Sequence, residues 1–301
     1  MVRDKGTLMN KNELILGRQI MNPGHNLCPG CAEGIAMRIV TKVLGESTII
    51  ARSASCIGNP FMIYPAAVTA PSFYVSFASA SAGISGVAAA LRYLKKTRGF
   101  KEKINLAVFA GDGGTADIGF ASLSGAAERN EDVIYVCLDN EAYMMTGIQR
   151  SSQTPEFAWT TTTPLGKGEF QKDMPMIMAA HKIPYVATAS VAYPMDLADK
   201  IARARDIGEG FKYIHIHAPC PTGWRFPENK TIEMARLAVE TGVWKLFEIK
   251  KGTLKKLTYK PENRQPVSTY FKSQGRFSNL SPEMIDSIQK NTDKECRRYG
   301  F

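Results

Sequence analysis

Ile104-Asn105-Leu106-Ala107-Val108-Phe109-Ala110-Gly111-Asp112-Gly113-Gly114-Thr115 decides the fold, because an unbroken apolar run stops there at a turn of glycines around one carboxylate. Successive apolar residues with no polar alternation describe a strand buried on both faces, which is a parallel-sheet strand. Val133 to Leu138 repeats the pattern and stops at Asp139-Asn140, with a helix expected between the two over Ala116 to Glu128. Tyr185 to Ala189 precedes a helix at Pro194 to Asp206, and Tyr213 to His217 precedes a helix at Lys230 to Thr241. Upstream, Glu33 to Leu44 reads as a helix with Ile35, Ile39, Val40 and Val43 on one face, and Thr48 to Ala51 as a short buried strand. Ser79 to Lys96 reads as a helix of small residues able to pack closely. Alternating strands and helices predict an α/β, doubly wound parallel sheet.

We expect three parts: an N-terminal arm at residues 1–21, the α/β domain at 22–243, and an extended basic C-terminal arm at 244–301 with a short terminal helix. The chain has 301 residues and a formal charge of +10. From Trp244 to Phe301 there are 13 Lys/Arg and 6 Asp/Glu, so most of the surplus lies in the last fifth. No helix-turn-helix, zinc-finger or RNA-binding signature accompanies it, so nucleic acid is not the expected partner. No apolar run spans a bilayer and the first eleven residues are too polar for a signal peptide, so no membrane association and a cytoplasmic location are expected.

In open α/β sheets ligands gather at the carboxyl ends of strands, where Asp112 and Asn140 both stand. A diphosphate needs a hard cation held through oxygens, and glycines that let backbone N–H groups approach. Asp112 offers a carboxylate, Asn140 an amide oxygen, and Ala142 a carbonyl. By itself Gly111-Asp112-Gly113-Gly114 reads as a strand-to-helix turn. With Asn140 following 28 residues after Asp112 at the next strand end, the spacing resembles the thiamine pyrophosphate signature, in which the Asp, the Asn and a nearby carbonyl hold Mg²⁺.

Six cysteines in such a chain argue for metal or redox chemistry over disulfides. Cys28 and Cys31 form a Cys-x-x-Cys pair, Cys56 follows a strand, and Cys220 stands beyond the last core strand in His217-Ala218-Pro219-Cys220-Pro221. Four such residues can hold a [4Fe–4S] cluster or Zn²⁺, and a lone Cys-x-x-Cys can be a redox pair. The distant third and fourth cysteines favour a metal site assembled by the fold. Cys137, mid-strand, reads as packing, and Cys296 does not look like a ligand.

Five stretches in order resemble the β subunits of pyruvate:ferredoxin oxidoreductase and its 2-oxoacid relatives: Gly24-His25 with Cys28 to Glu33, Ala110 to Gly119, Asp139 to Tyr143, Thr146 to Ser151, and Ala218 to Trp224. The resemblance implies the thiamine-diphosphate-binding fold and one [4Fe–4S] cluster on Cys28, Cys31, Cys56 and Cys220. It implies Mg²⁺ on Asp112, Asn140 and Ala142, thiamine pyrophosphate beside Glu33 and Cys56, and cofactor contacts from Gly111, Gly113, Thr146 and Gly147. The implied activity is oxidative decarboxylation of a 2-oxoacid, with single electrons passing to the cluster and on to ferredoxin, and with coenzyme A collecting the acyl group in the pyruvate enzymes. The glutamate that activates the aminopyrimidine comes from another domain in such enzymes. A catalytic partner is therefore expected among α-, γ- and δ-type subunits, which would also carry the outward electron path. Where the family reads Tyr-Met-Asn-Thr-Gly, this chain has Tyr143-Met144-Met145-Thr146-Gly147, and its Ser53-Ala54-Ser55-Cys56 replaces Ala-Thr-Gly-Cys. Met145, expected to face the substrate, cannot donate the asparagine's hydrogen bond, so oxalate and pyruvate are expected as equals, with branched 2-oxoacids behind; alternatively Met145 fills a gap in the core. Alternatives from other classes are a non-redox thiamine decarboxylase or synthase, and a zinc-stapled binding module.

Overall fold

A computed structural model describes residues 11–62 and 64–300. Its elements run α1 (Lys11–Leu16), α2 (Ala32–Leu44), β1 (Thr48–Ser53), β2 (Ser72–Val75), α3 (Ala80–Arg98), β3 (Asn105–Gly111), α4 (Phe120–Glu128), β4 (Ile134–Asp139) and α5 (Met174–Ala180). Then follow β5 (Tyr185–Ser190), α6 (Pro194–Asp206), β6 (Lys212–His217), α7 (Pro221–Trp224), α8 (Thr231–Glu240), β7 (Leu246–Lys250), β8 (Thr253–Tyr259), α9 (Val267–Phe271) and α10 (Pro282–Arg298). Every strand and helix expected between residues 33 and 241 is present, with ends shifted by a few residues. The exception is the start of α4: Gly114–Ile118 forms a wide π turn before it. There the Thr115 hydroxyl donates to the Gly111 carbonyl at 2.7 Å, so the side chain competes with the regular helical ladder.

One sheet carries the strands in the order β2-β1-β3-β4-β6-β5-β7-β8. The first six are parallel, in a register that pairs Ala51 with Val108, Val108 with Tyr135, and Cys137 with His215. The period of two along β3 distributes its apolar residues. Ala107 and Phe109 meet α2 and α6 on one face, while Leu106, Val108 and Ala110 meet α3, α4 and α5 on the other. With both faces covered, each fully buried side chain such as Phe109 contributes on the order of 2 kcal/mol. Cys137 packs inside the second of these clusters. Chain order reverses between β1 and β3, since β2 lies outside β1 and β4 beyond β3. A crevice therefore opens at the carboxyl ends of β1 and β3, the switch point where ligands bind in such sheets.

The expected extended arm at 244–301 is corrected. β7 pairs antiparallel with β5, Val186 opposite Ile249, and β8 pairs with β7. α10 is a full helix of 17 residues, and Tyr299 after it stacks on Phe247 with ring centroids 4.9 Å apart. Alternating charges hid β7: Glu248 looks solvated in the sequence, yet it is buried and ion-paired to Arg203 at 2.6 Å. Ile20 and Met21, assigned to the N-terminal arm, are buried in the core. Of that arm, residues 1–10 lie outside the described residues. Among those described, no helix is long and apolar enough to cross a membrane.

Candidate functional site

Two cavities open at the carboxyl ends of the parallel strands, and they share Cys56 and Asn140. The first, about 30 Å³, is lined by Ser55 and Cys56 after β1, Gly111 to Gly114 after β3, and Asn140 and Ala142 to Thr146 after β4. The second, about 60 Å³, is lined by Cys28, Cys31, Glu33, Cys56, Asn140 and Cys220 among others. Residues expected from the sequence at a diphosphate site and those expected at a cluster therefore border on one another.

The turn after β4 is held from every side. Asp139 Oδ1 accepts from the Glu141 N–H at 2.9 Å, and the Trp224 indole N–H donates to the Asn140 carbonyl at 2.8 Å. Thr154 donates to the Glu141 carbonyl at 2.7 Å, and the buried Arg276 guanidinium pairs with the Glu141 carboxylate. Glu141 sits at φ 64°, a left-handed conformation that a side chain keeps only when its surroundings fix it. The Asn140 amide thus has a set orientation. Its N–H donates to Glu33 Oε1 at 2.7 Å, and its Oδ1 is buried without a hydrogen-bond partner, as is Glu33 Oε2. Unmatched buried oxygens of this kind are expensive unless something positive or protic meets them.

Asp112 is buried, and Ser151 Oγ donates to its Oδ2 at 2.5 Å. Burial and the neighbouring Asp139 carboxylate raise its pKa well above the usual carboxylate range. Asp139 is raised by burial and by Glu141, and the Glu33 carboxyl is pushed up to about 7 by burial. This is an electrostatically short-changed pocket that a cation would relieve. Among the described residues no three His, Cys, Asp or Glu side chains are close enough to close round one metal ion. A Mg²⁺ held by one carboxylate, one amide and one carbonyl, with phosphate oxygens completing it, requires no such trio. The Ala142 carbonyl accepts from Met144 N–H at 2.9 Å and keeps its second lone pair.

Gly113 has an ordinary helical φ; what it lacks is room. A Cβ there would stand 2.4 Å from the Tyr143 ring, whose hydroxyl donates to the Gly113 carbonyl at 3.0 Å. Thr146 lines the first cavity and hydrogen-bonds Gln149 at 2.6 Å, whereas Gly147, at φ 120°, is exposed and does not line the cavity. Met145 is 55% exposed and lines the cavity, so it is not a core gap-filler.

The four cysteines come from three segments: the Cys28–Cys31 loop, the turn after β1 that carries Cys56, and the turn after β6 that carries Cys220. Gly30, between the first two, needs its glycine on two counts. Its φ is 69°, and a Cβ would meet the Glu228 carbonyl at 2.3 Å. Thr231 donates to the Gly30 carbonyl at 2.5 Å, tying this loop to α8. Backbone N–H groups of Glu33 and Gly34, in the first turn of α2, face the Cys31 sulfur, and those of Thr222 and Gly223 face Cys220. The Gly223 N–H reaches Cys220 Sγ at 3.3 Å. Such donors suit thiolates bound to metal. Without metal, burial and the Glu33 carboxylate push the Cys31 and Cys56 thiols far up, and burial pushes Cys220 up to about 11. All six cysteines are free, and Cys137 and Cys296 are buried away from this cavity. A cubane cluster carries iron at its corners, so its thiolates face a volume and need not converge on a point. Four cysteines around one cavity fit that demand, and the N–H groups aimed at them fit its negative sulfurs.

Ser151, Arg276, Asp139 and Trp224 carry the geometry of the site without having been singled out as site residues. Ser151 and Trp224 lie inside motif stretches and could have been found there. Arg276 sits in the segment read as an arm, and nothing local marks it.

The thiamine pyrophosphate enzyme, C-terminal TPP binding domain family matches residues 56–216. A pyruvate synthase subunit PorB from Methanothermobacter marburgensis is 49% identical over 285 residues, covering 93% of this chain and 96% of that protein. A ketoisovalerate oxidoreductase subunit VorB from Pyrococcus abyssi is 45% identical, covering 91% and 90%. A solved 2-oxoglutarate:ferredoxin oxidoreductase from Magnetococcus marinus, with 2-oxoglutarate, coenzyme A and succinyl-CoA bound, superposes with a TM-score of 0.59 at 20% identity over 89% of this chain and 94% of its own, which speaks for the fold. The expectation of oxalate on a par with pyruvate finds no support among these relatives, which are named for pyruvate and ketoisovalerate. With the thiamine domain and near-full-length relatives at this identity, the chain belongs to the PorB/VorB-type β subunits of the 2-oxoacid:ferredoxin oxidoreductases.

Proposed function

We propose that this chain is the thiamine- and cluster-carrying subunit of an oxidoreductase that decarboxylates pyruvate, with coenzyme A taking the acyl group and ferredoxin the electrons. The observation that carries the reading is the junction of the two cavities at Cys56 and Asn140. It supports a diphosphate and a cluster bound side by side, as electron transfer from thiamine to a cluster requires. Cys28, Cys31, Cys56 and Cys220 hold a [4Fe–4S] cluster; Asp112, Asn140 and the Ala142 carbonyl hold Mg²⁺; Gly113 and Thr146 meet the diphosphate. When bound, thiamine supplies the carbanion and electron sink that the substrate's 2-oxo carbon requires.

The residues of this chain orient and insulate. Asn140 is fixed so that its amide oxygen meets the cation, while its N–H holds Glu33. Glu33, with burial holding its carboxyl up to about 7, can keep or release a proton beside the cofactor near neutral pH. Met145 at the cavity mouth offers an apolar, flexible contact, which suits the methyl group of pyruvate or a small branched side chain better than a second carboxylate. The relatives named for pyruvate and ketoisovalerate support the same ranking. The activating carboxylate and the outward electron path belong to partner subunits, and the assembly is cytoplasmic.

The test uses the assembled enzyme in two arms. Iron analysis and the visible spectrum of Cys220→Ser against wild type should show the loss of about four irons per β chain. Oxidation of pyruvate, 2-oxoisovalerate and oxalate, each with and without coenzyme A, should favour pyruvate with coenzyme A. Zinc in place of iron, or turnover of oxalate alone, would overturn the reading.

A further inference from the structure

A roomy cavity lies away from the four cysteines of the candidate site. About 500 Å³ in volume, it sits between the segment leading into α5, the edge of β5 and β7, and α10. That volume lies within the usual range for small-molecule sites. Trp244, Phe247, Tyr299 and Phe170 give it flat apolar walls. Phe170 is 69% exposed, an unusual cost for a large ring at a cavity mouth with nothing against it. Three side-chain amides also line it. Gln153 and Gln171 use their N–H groups on the Lys172 and Gln153 carbonyls, and the Asn291 side-chain amide forms no hydrogen bond among the described residues.

Its charge is the second observation. Lys172, Lys245, Lys294 and Arg298 line the cavity against Asp173 and Glu295. Part of this charge is already engaged: Asp173 accepts from the Met176 N–H as the cap of α5, Glu295 and Arg298 stand 3.6 Å apart, and Lys172 stands 3.7 Å from Asp117. Lys245 Nζ has no ion pair or hydrogen bond among the described residues; the nearest ring is Tyr299, 5.8 Å to its centroid. Burial lowers its pKa, against the opposing pull of the nearby Cys296, Glu295 and Asp173. A half-buried ammonium without a hydrogen-bond partner, set in an aromatic cavity, favours an anion tethered to an apolar body.

We infer that this cavity binds a nucleoside phosphate. The base lies among the aromatic walls, its edge meets the side-chain amides, and its phosphate meets Lys245 with the other cations at the mouth. None of these residues belongs to the two cavities at the strand ends, so the site stands independently of the substrate reading.

The experiment is isothermal titration of the assembled enzyme with ADP at low salt, with adenosine and inorganic phosphate as separate probes. Saturable binding at one site per β chain is expected, with both probes weaker than ADP. Lys245→Met should weaken ADP binding about tenfold or more, the loss of one charge-assisted contact. Lys245→Arg should stay within a few fold of wild type, and Asn291→Ala, at an exposed position, should weaken it about fivefold. Unchanged 2-oxoacid oxidation by Lys245→Met without ADP shows that the variant is folded. No saturable ADP binding up to about 1 mM, or affinity unchanged in both Lys245→Met and Asn291→Ala, would overturn the assignment.

Discussion

Replacing Arg276 by methionine tests whether the C-terminal segment fixes the turn after β4, the proposed cation site. The guanidinium is buried, pairs with the buried Glu141 carboxylate, accepts the Trp224 ring beneath it at 3.9 Å, and donates through Nε to Gln274 at 2.9 Å. Methionine fills much of the volume but removes the charge. Removing one partner of a buried ion pair costs about 3–5 kcal/mol, because the other charge is left uncompensated. The lost stacking on Trp224 adds up to about 2 kcal/mol, not additively. Against a total stability of about 5–15 kcal/mol this is a large fraction. At roughly 2–4 °C per kcal/mol the melting midpoint of the assembled enzyme should fall by about 6–20 °C. Because Glu141 lies between Asn140 and Ala142, the Mg²⁺ and thiamine concentrations for half-maximal activity should rise as well. Glu141→Gln added to Arg276→Met should restore a good part of the stability, since the stranded charge is gone. A loss below about 1 kcal/mol with cofactor requirement intact, or a double variant no better than the single, would refute the reasoning.

Gly113→Ala places a methyl carbon 2.4 Å from the Tyr143 ring and forces the ring away, at an overpacking cost of about 1–3 kcal/mol plus the hydrogen bond to the Gly113 carbonyl. Thiamine affinity, read by activity titration, should drop at least tenfold; near-normal affinity would show that the crowding is harmless. Ser151→Ala removes the hydroxyl that donates to Asp112 Oδ2 and lets burial hold that carboxyl still higher. The Mg²⁺ requirement should rise about tenfold and the melting midpoint fall by about 3–12 °C, since a hydrogen bond to a charged group contributes about 1.5–3 kcal/mol. An unchanged Mg²⁺ titration would remove Ser151 from the site.

Strands and helices of the central sheet were legible because their signals are local. The unbroken run Leu106 to Ala110 requires cover on both faces, and the glycines after it mark where the strand stops. β2 and β7 escaped for physical reasons: β2 has only four residues, too few for a period to show, and in β7 a buried charge, Glu248, looks exposed until Arg203 and Tyr185 are seen beside it. α5, only seven residues long, is too short for a helical period to show.

Candidate ligands were legible for a related reason. Asp112, Asn140 and the four cysteines each stand at a strand end or helix start, and all such ends in a parallel sheet share one edge. Sequence order therefore determined that they would be neighbours. Gly147 shows the limit: it belongs to the right loop but faces solvent, because the tight turn at Tyr143 to Gln149 sets which residue looks inward.

What the sequence determined by itself is the inventory and the edge: which side chains are candidates for a cluster, a cation and a diphosphate, and that chain direction brings them to one rim. What only the tertiary structure decided is how they are held. Arg276 reaches Glu141 across 135 residues and Trp224 reaches Asn140 across 84, contacts with no local signature. They arise because residues remote along the chain are pressed together when apolar surface is buried, and a buried charge then accepts whichever partner that packing supplies.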